Sequence, residues 1–177
     1  MKKSFVVCFL ASLMMLLPLT SCNEEADHSA DQRITEQLPG QWTYSTSQTS
    51  EDGLQVSART TNFTFMSSRF EVTVERSQLS KVTTFSISGT WNIKNETLQL
   101  YYNLESLVTS GMTKDEERAL WSQFNSNNKM LDDLRDSKQA YGLRIEISRP
   151  SAYSGNLKLT GSDYFEGTYT LSGGVNP

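Results

Sequence analysis

The alternation of apolar and polar residues is the feature that most constrains this chain. In Arg69-Phe70-Glu71-Val72-Thr73-Val74-Glu75, Phe70, Val72 and Val74 fall on one side and the polar residues on the other. Successive side chains of a strand point to opposite faces, so such a run buries a single face only when it is extended. Leu143, Ile145 and Ile147 repeat the pattern, as do Leu98, Leu100 and Tyr102, and Leu157 with Leu159. Further alternating runs cover Trp42 to Gln48, Leu54 to Met66, Val82 to Lys94 and Tyr164 to Ser172, giving eight expected strands.

Turn-forming pairs separate these runs: Asp52-Gly53, Ser67-Ser68, Asn95-Glu96, Ser154-Gly155 and Ser162-Asp163. Short turns between sequential strands imply antiparallel hairpins in up-and-down order. The run from Leu54 to Met66 changes parity, with Leu54, Val56 and Ala58 at even positions and Phe63 and Phe65 at odd ones, which a bulge or bend near Thr60 to Asn62 would reconcile. Gly40-Gln41-Trp42, Gly89-Thr90-Trp91 and Gly167-Thr168-Tyr169 each place a glycine two residues before an aromatic. A glycine lets a strand bend at a barrel corner, so this echo argues for closure of the sheet.

The stretch between Asn103 and Leu143 is far longer than an antiparallel connection needs. Thr113 and Glu116 have the spacing of a capping box, and Leu120, Trp121 and Phe124 share a helical face. Asn125-Ser126-Asn127-Asn128 interrupts the stripe, and Met130, Leu131 and Leu134 resume it, predicting two short helices within an insertion spanning about 112–140. They pack on the barrel or form a lid over it.

Histidine and cysteine are missing beyond residue 28, which removes Ser-His-Asp and Cys-His catalysis and any His or Cys metal site from residues 38–177. Asp115, Glu116, Glu117, Asp132, Asp133 and Asp136 read as a solvated acidic face, without the alternating ligands and central glycine of a calcium loop. The expectation is a protein that is not an enzyme and needs no cofactor or metal. A formal charge of -4, which becomes -6 if Lys2 and Lys3 are removed, gives nucleic acid no electrostatic reason to bind.

Those lysines belong to a distinct N-terminal segment. Met1-Lys2-Lys3 precedes an apolar run from Phe5 to Leu19, of about 15 residues, shorter than the roughly 20 of a membrane-spanning helix. Leu19-Thr20-Ser21-Cys22 resembles the lipobox of bacterial lipoproteins. That resemblance implies a signal peptide over 1–21, cleavage before Cys22 and attachment of lipid, including palmitate, to its thiol. Asn23 is not an aspartate, and Glu24-Glu25 resembles an acidic export tag, which implies the outer membrane and display on the cell surface. Residues 22–37 carry no apolar periodicity and read as a disordered tether between the anchor and a domain over 38–177.

Leu38-Pro39-Gly40-Gln41-Trp42 opening the domain, followed by about eight strands and the hairpin Ser88 to Leu100, resembles the lipocalin-like domain of bacterial lipoproteins. The implied fold is all-β: an antiparallel up-and-down eight-stranded lipocalin-like barrel with a short helical insertion between strands 5 and 6. Trp42 would close its base. It departs from true lipocalins in lacking a paired cysteine bridge and in carrying the insertion.

Alternation then assigns candidate ligand-binding residues. Trp42, Phe63, Trp91, Tyr102 and Tyr169 are candidate inward groups, and Arg59, Arg76 and Arg149 share the apolar sides near strand ends. An arginine at a barrel mouth receives an anionic head group while aromatic side chains hold the tail. The first expectation is therefore a lipid-anchored envelope protein binding a small amphipathic or hydrophobic ligand. The alternative is a structural lipoprotein that docks a protein partner in an outer-membrane assembly and holds no small molecule.

Overall fold

The computed structural model describes residues 24–53, 55–161 and 164–173. The expected signal peptide, Cys22 and Asn23 lie outside the described residues, as does the Ser162-Asp163 turn. The elements in chain order are α1 (Glu24–Gln37), β1 (Gly40–Thr49), β2 (Gln55–Phe65), β3 (Arg69–Gln78), β4 (Lys81–Lys94), β5 (Thr97–Ser110), α2 (Lys114–Asp133), β6 (Leu143–Ser151), β7 (Ser154–Thr160) and β8 (Gly167–Gly173).

All strand pairs are antiparallel and follow sequence order. β8 returns to β1 through Gln41↔Gly173, Trp42↔Leu171 and Thr43↔Thr170, so the ring of pairings closes into a barrel. The expectation of a regular, hollow lipocalin-like barrel is nevertheless corrected by one seam. β5 and β6 pair only through Thr97↔Arg144 and Leu98↔Leu143, because β6 starts beside the beginning of β5 and runs away from it. Past Leu98, β5 has no strand partner on that side among the described residues.

Helices cover the edges that this splay leaves. Asn128 of α2 accepts from the Tyr102 N–H at 2.9 Å and donates to the Tyr102 carbonyl at 2.8 Å. Asn127 donates to the Leu100 carbonyl at 2.8 Å. Side-chain amides thus stand in for the missing strand, and an edge that would template aggregation is closed. Asn125 to Asn128 do not end a helix, as their composition suggested. α2 runs through them as one helix, opened by the predicted capping box of Thr113 and Glu116.

α1 replaces the expected disordered tether over most of its length. Its hydrophobicity is low, but Ala30, Ile34 and Leu38 are buried, and Asp31 binds the β4–β5 turn. Tertiary contact, not intrinsic propensity, accounts for its docking.

Other boundaries shift for local reasons. Pairing of β2 is continuous past Thr60 to Asn62, so the expected bulge is not there; Phe63 and Phe65 are fully buried and Thr61 with them. Irregularities fall elsewhere, among them between Gln48 and Thr49 and between Ser86 and Ser88. The second lets β5 bow outward and continue to Ser110, with the Ser88 N–H donating to Ser106 Oγ at 2.9 Å. The β6–β7 turn is Ala152-Tyr153, and Ser154-Gly155 belongs to β7. At Gly89 a Cβ would sit 2.0 Å from the Tyr101 oxygen and 2.9 Å from Phe70 Cε1, so this glycine makes room for a ring and a neighbouring strand.

The interior is packed with aromatic rings. The Phe63 ring lies 5.1 Å from Phe65, 5.1 Å from Phe165 and 5.6 Å from Tyr169. From α2, Phe124 reaches in to lie 4.4 Å from Tyr102 and 5.8 Å from Phe85. Phe63, Phe65, Phe70, Trp42 and Tyr169 are fully buried. α2 is therefore part of the core packing, contributing Leu120 and Phe124, while Trp121, expected on the same face, is 45% exposed.

Candidate functional site

The three arginines separate to two ends of the sheet. Arg149, near the end of β6, donates to the carbonyls of Gln37 and Pro39 and, at 3.4 Å, to that of Ala152. It ties the β6–β7 turn to the junction of α1 and β1, and its donors are engaged by backbone.

Arg59 and Arg76 face each other across β2 and β3. Their Cζ atoms lie 4.9 and 4.8 Å from the centroid of the same Tyr164 ring. Burial lowers the Arg59 pKa, and the neighbouring Arg76 charge lowers it further. Burial raises the Tyr164 hydroxyl, against the pull of both arginines. Tyr164 lies outside any strand, in the connection before β8, which alternation had extended through it.

The aromatic candidates are structural. Trp42 is fully buried and donates its Nε1–H to the Leu38 carbonyl at 2.8 Å. Trp91 Nε1–H is shared by the carbonyls of Met66 and Arg69 at 2.9 and 3.0 Å, bracing the β2–β3 turn. The Tyr169 hydroxyl donates to the Phe165 carbonyl at 2.9 Å. Phe63 and Tyr102 pack ring on ring within the core.

These contacts overturn the expectation of a lipocalin-type ligand chamber. A tail lodged in the interior would have to expel several rings, and removing even one buried Phe or Trp side chain costs about 3–5 kcal/mol. Among the described residues, the openings include clefts that reach the surface. One of about 320 Å³ lies at the β5–β6 seam between Leu98, Tyr102, Phe124, Tyr141 and Tyr164. Another, of about 620 Å³, lies between the end of α2 and β4–β5, beside Tyr101, Leu131 and Arg135.

Among the described residues, no group of three or more His, Cys, Asp or Glu side chains is placed to hold a metal ion. Several acidic residues of α2 are engaged by other side chains: Glu116 pairs with Lys81 at 3.2 Å, Asp115 with Arg118 at 2.8 Å, and Asp132 accepts from the Tyr101 hydroxyl at 2.9 Å.

No protein-family model and no curated protein matches the chain. The likeness to lipocalin-like lipoproteins thus rests on the short motifs at residues 19–25, 38–42 and 88–100.

Sequence reasoning missed Asp31, Asn127, Asn128 and Tyr164. Asn127 and Asn128 were visible as two adjacent amides within a helical stripe, a placement that suits side-chain bonding to an unpaired backbone edge. Nothing local marks Asp31 or Tyr164, whose partners lie on distant strands.

Proposed function

We propose that the chain is a lipid-anchored lipoprotein of the outer membrane, displayed at the cell surface, whose β-domain is a non-catalytic module that docks a protein partner. The observation that carries this reading is the filled interior. With aromatic rings occupying the interior among the described residues, recognition falls to the outside of the sheet and to α2. Trp121 supports α2 as a contact, since an indole 45% exposed is the kind of anchor around which interface energy concentrates. The run Leu19-Thr20-Ser21-Cys22 supports the anchor. α1, following two residues after Cys22, would then hold the domain near the bilayer by a short connection, its middle fixed to the sheet by Asp31.

Two measurements test the two halves of the proposal. Labelled palmitate should enter the wild-type chain and not Cys22→Ser, and protease added to intact cells should digest the protein; failure of labelling removes the anchor, and full protection removes surface display. For docking, a photo-crosslinking residue at position 121 in living cells should trap a protein of discrete mass, lost when the same residue is placed at position 158, on a strand far along the chain. Adducts at both positions alike, or none at 121, overturn the docking role.

A further inference from the structure

Arg59 and Arg76 carry an unbalanced charge that the docking role leaves unused. They are direct cross-strand neighbours, an arrangement that is destabilising for like charges. Both guanidinium groups lie on one Tyr164 ring, whose face offers each a weak attraction. Among the described residues neither forms an ion pair with a carboxylate.

The donors of Arg59 are more telling. Its Nε and Nη2 are both buried and, among the described residues, have no hydrogen-bond partner. A buried donor left unmade costs about 1–3 kcal/mol, so two on one side chain are a substantial strain on a small domain. Nε–H and Nη2–H are also the two parallel donors that grip a carboxylate, sulfate or phosphate side-on. Beside the pair opens a pocket of about 200 Å³ whose remaining wall is short and polar, including Thr46, Gln48, Ser57 and Ser77. Ala58 is the one apolar residue of this lining, with no large apolar side chain to hold a tail, and the space suits a small group.

We propose that Arg59 and Arg76 form an oxyanion-binding site, which takes a carboxylate, sulfate or phosphate group between the two guanidinium groups once the Tyr164 ring tilts off them. The anion accepts from Arg59 Nε–H and Nη2–H, and Arg76 supplies the second charge. Its binding relieves both the unmade hydrogen bonds and the like-charge repulsion. The inference stands on this end of the sheet alone and does not depend on the docking surface of α2.

The test uses the full chain in detergent, titrated separately with sulfate, phosphate and acetate at constant ionic strength against chloride. The Arg59 Nε–H resonance should shift saturably with at least one oxyanion at millimolar concentration, and the melting temperature should rise with it. Arg59→Gln should weaken binding at least tenfold, and Arg76→Gln severalfold. Without added oxyanion Arg76→Gln should melt no lower than the wild type, which separates loss of the site from loss of the fold. A synthetic Asp/Glu-rich peptide binding at least tenfold more tightly than acetate assigns the group to a polypeptide; equal affinities assign it to a free anion. A wild-type response no different from chloride, or one that survives in Arg59→Gln, overturns the site. So does a response seen only in Asp163→Asn, since that carboxylate, next to Tyr164 in sequence, would then be the resident counter-ion.

Discussion

Asp31 and Glu96, 65 residues apart in the chain, meet in a 2.7 Å hydrogen bond from the Glu96 N–H to Asp31 Oδ1. The other oxygen of the same carboxylate accepts from the Asn95 N–H at 2.8 Å. Both turn residues have positive φ, 52° for Asn95 and 55° for Glu96, and neither is glycine. The β4–β5 turn therefore holds a left-handed conformation that Asn95 tolerates and Glu96 does not favour, and α1 supplies the acceptor for both amides. Asp31→Ala should destabilise the protein by about 1–3 kcal/mol, as loss of hydrogen bonds to a charged acceptor implies. Urea denaturation measures it, and Glu96→Gly in the same background should recover part of the loss by relaxing the turn. An unchanged midpoint in Asp31→Ala would mean that α1 is not docked in solution.

Asn128 carries the patch over the splayed edge of β5. Replacing it with Ala leaves the Tyr102 N–H and C=O buried without partners, a loss of about 2–4 kcal/mol. Asn128→Asp keeps the acceptor and loses the donor, so its cost should fall between. Hydrogen exchange at the Tyr102 amide reports the effect directly: it should accelerate strongly in Asn128→Ala and little in a control such as Ser126→Ala.

Glu116 predicts how acid acts on α2. The Thr113 backbone N–H and hydroxyl, with Lys81, hold its carboxyl down at about 2. A carboxylate depressed in the folded state stabilises the fold above its unfolded pKa, and that contribution is lost as pH falls through the folded value. The gap in melting temperature between wild type and Glu116→Gln should therefore be constant above about pH 5 and should close between about pH 4.5 and 2. A gap that persists at pH 2 would show that the capping contact does not depend on charge.

Tyr102 and Tyr169 govern the alkaline limit. Burial, the largest cause for both, pushes their hydroxyls well above the ordinary tyrosine range. A group raised in this way keeps its proton in the folded state while the unfolded chain loses it, so stability falls as pH rises past about 10. Ultraviolet titration should show two tyrosines ionising only together with the loss of circular dichroism. In Tyr102→Phe the alkaline midpoint should move upward. Independent ionisation of every tyrosine before unfolding would contradict the packed interior.

Much of the strand pattern was legible because burial on one face imposes a period of two, as at Phe70, Val72 and Val74. The capping box was legible because Thr113 and Glu116 satisfy the first turn of α2 within four residues. Parity placed Arg59 and Arg76 on the apolar side of their strands correctly, but it grouped Arg149 with them, and Arg149 lies at the opposite end holding backbone carbonyls. Composition misread Asn125 to Asn128 as a helix break, since an amide that favours loops in isolation is worth more against an unpaired strand edge. It misread α1 as a tether for the same kind of reason: Ala30, Ile34 and Asp31 look too sparse to order a helix until their partners on β4, the β4–β5 turn and β6 are in place.

By itself, the amino-acid sequence determined which residues alternate, where several hairpins turn and that residues 38–177 carry no histidine or cysteine, because these depend on side-chain type and on neighbours a few positions away. Whether the interior was empty was decided only in three dimensions. A ring of eight strands encloses space or fills it according to how large side chains from different strands meet, and here Phe63, Phe165, Tyr169 and the Phe124 of α2 converge on the same volume. The same holds for Arg59: its sequence position says that it faces inward, and only the packing leaves Nε and Nη2 without a partner among the described residues.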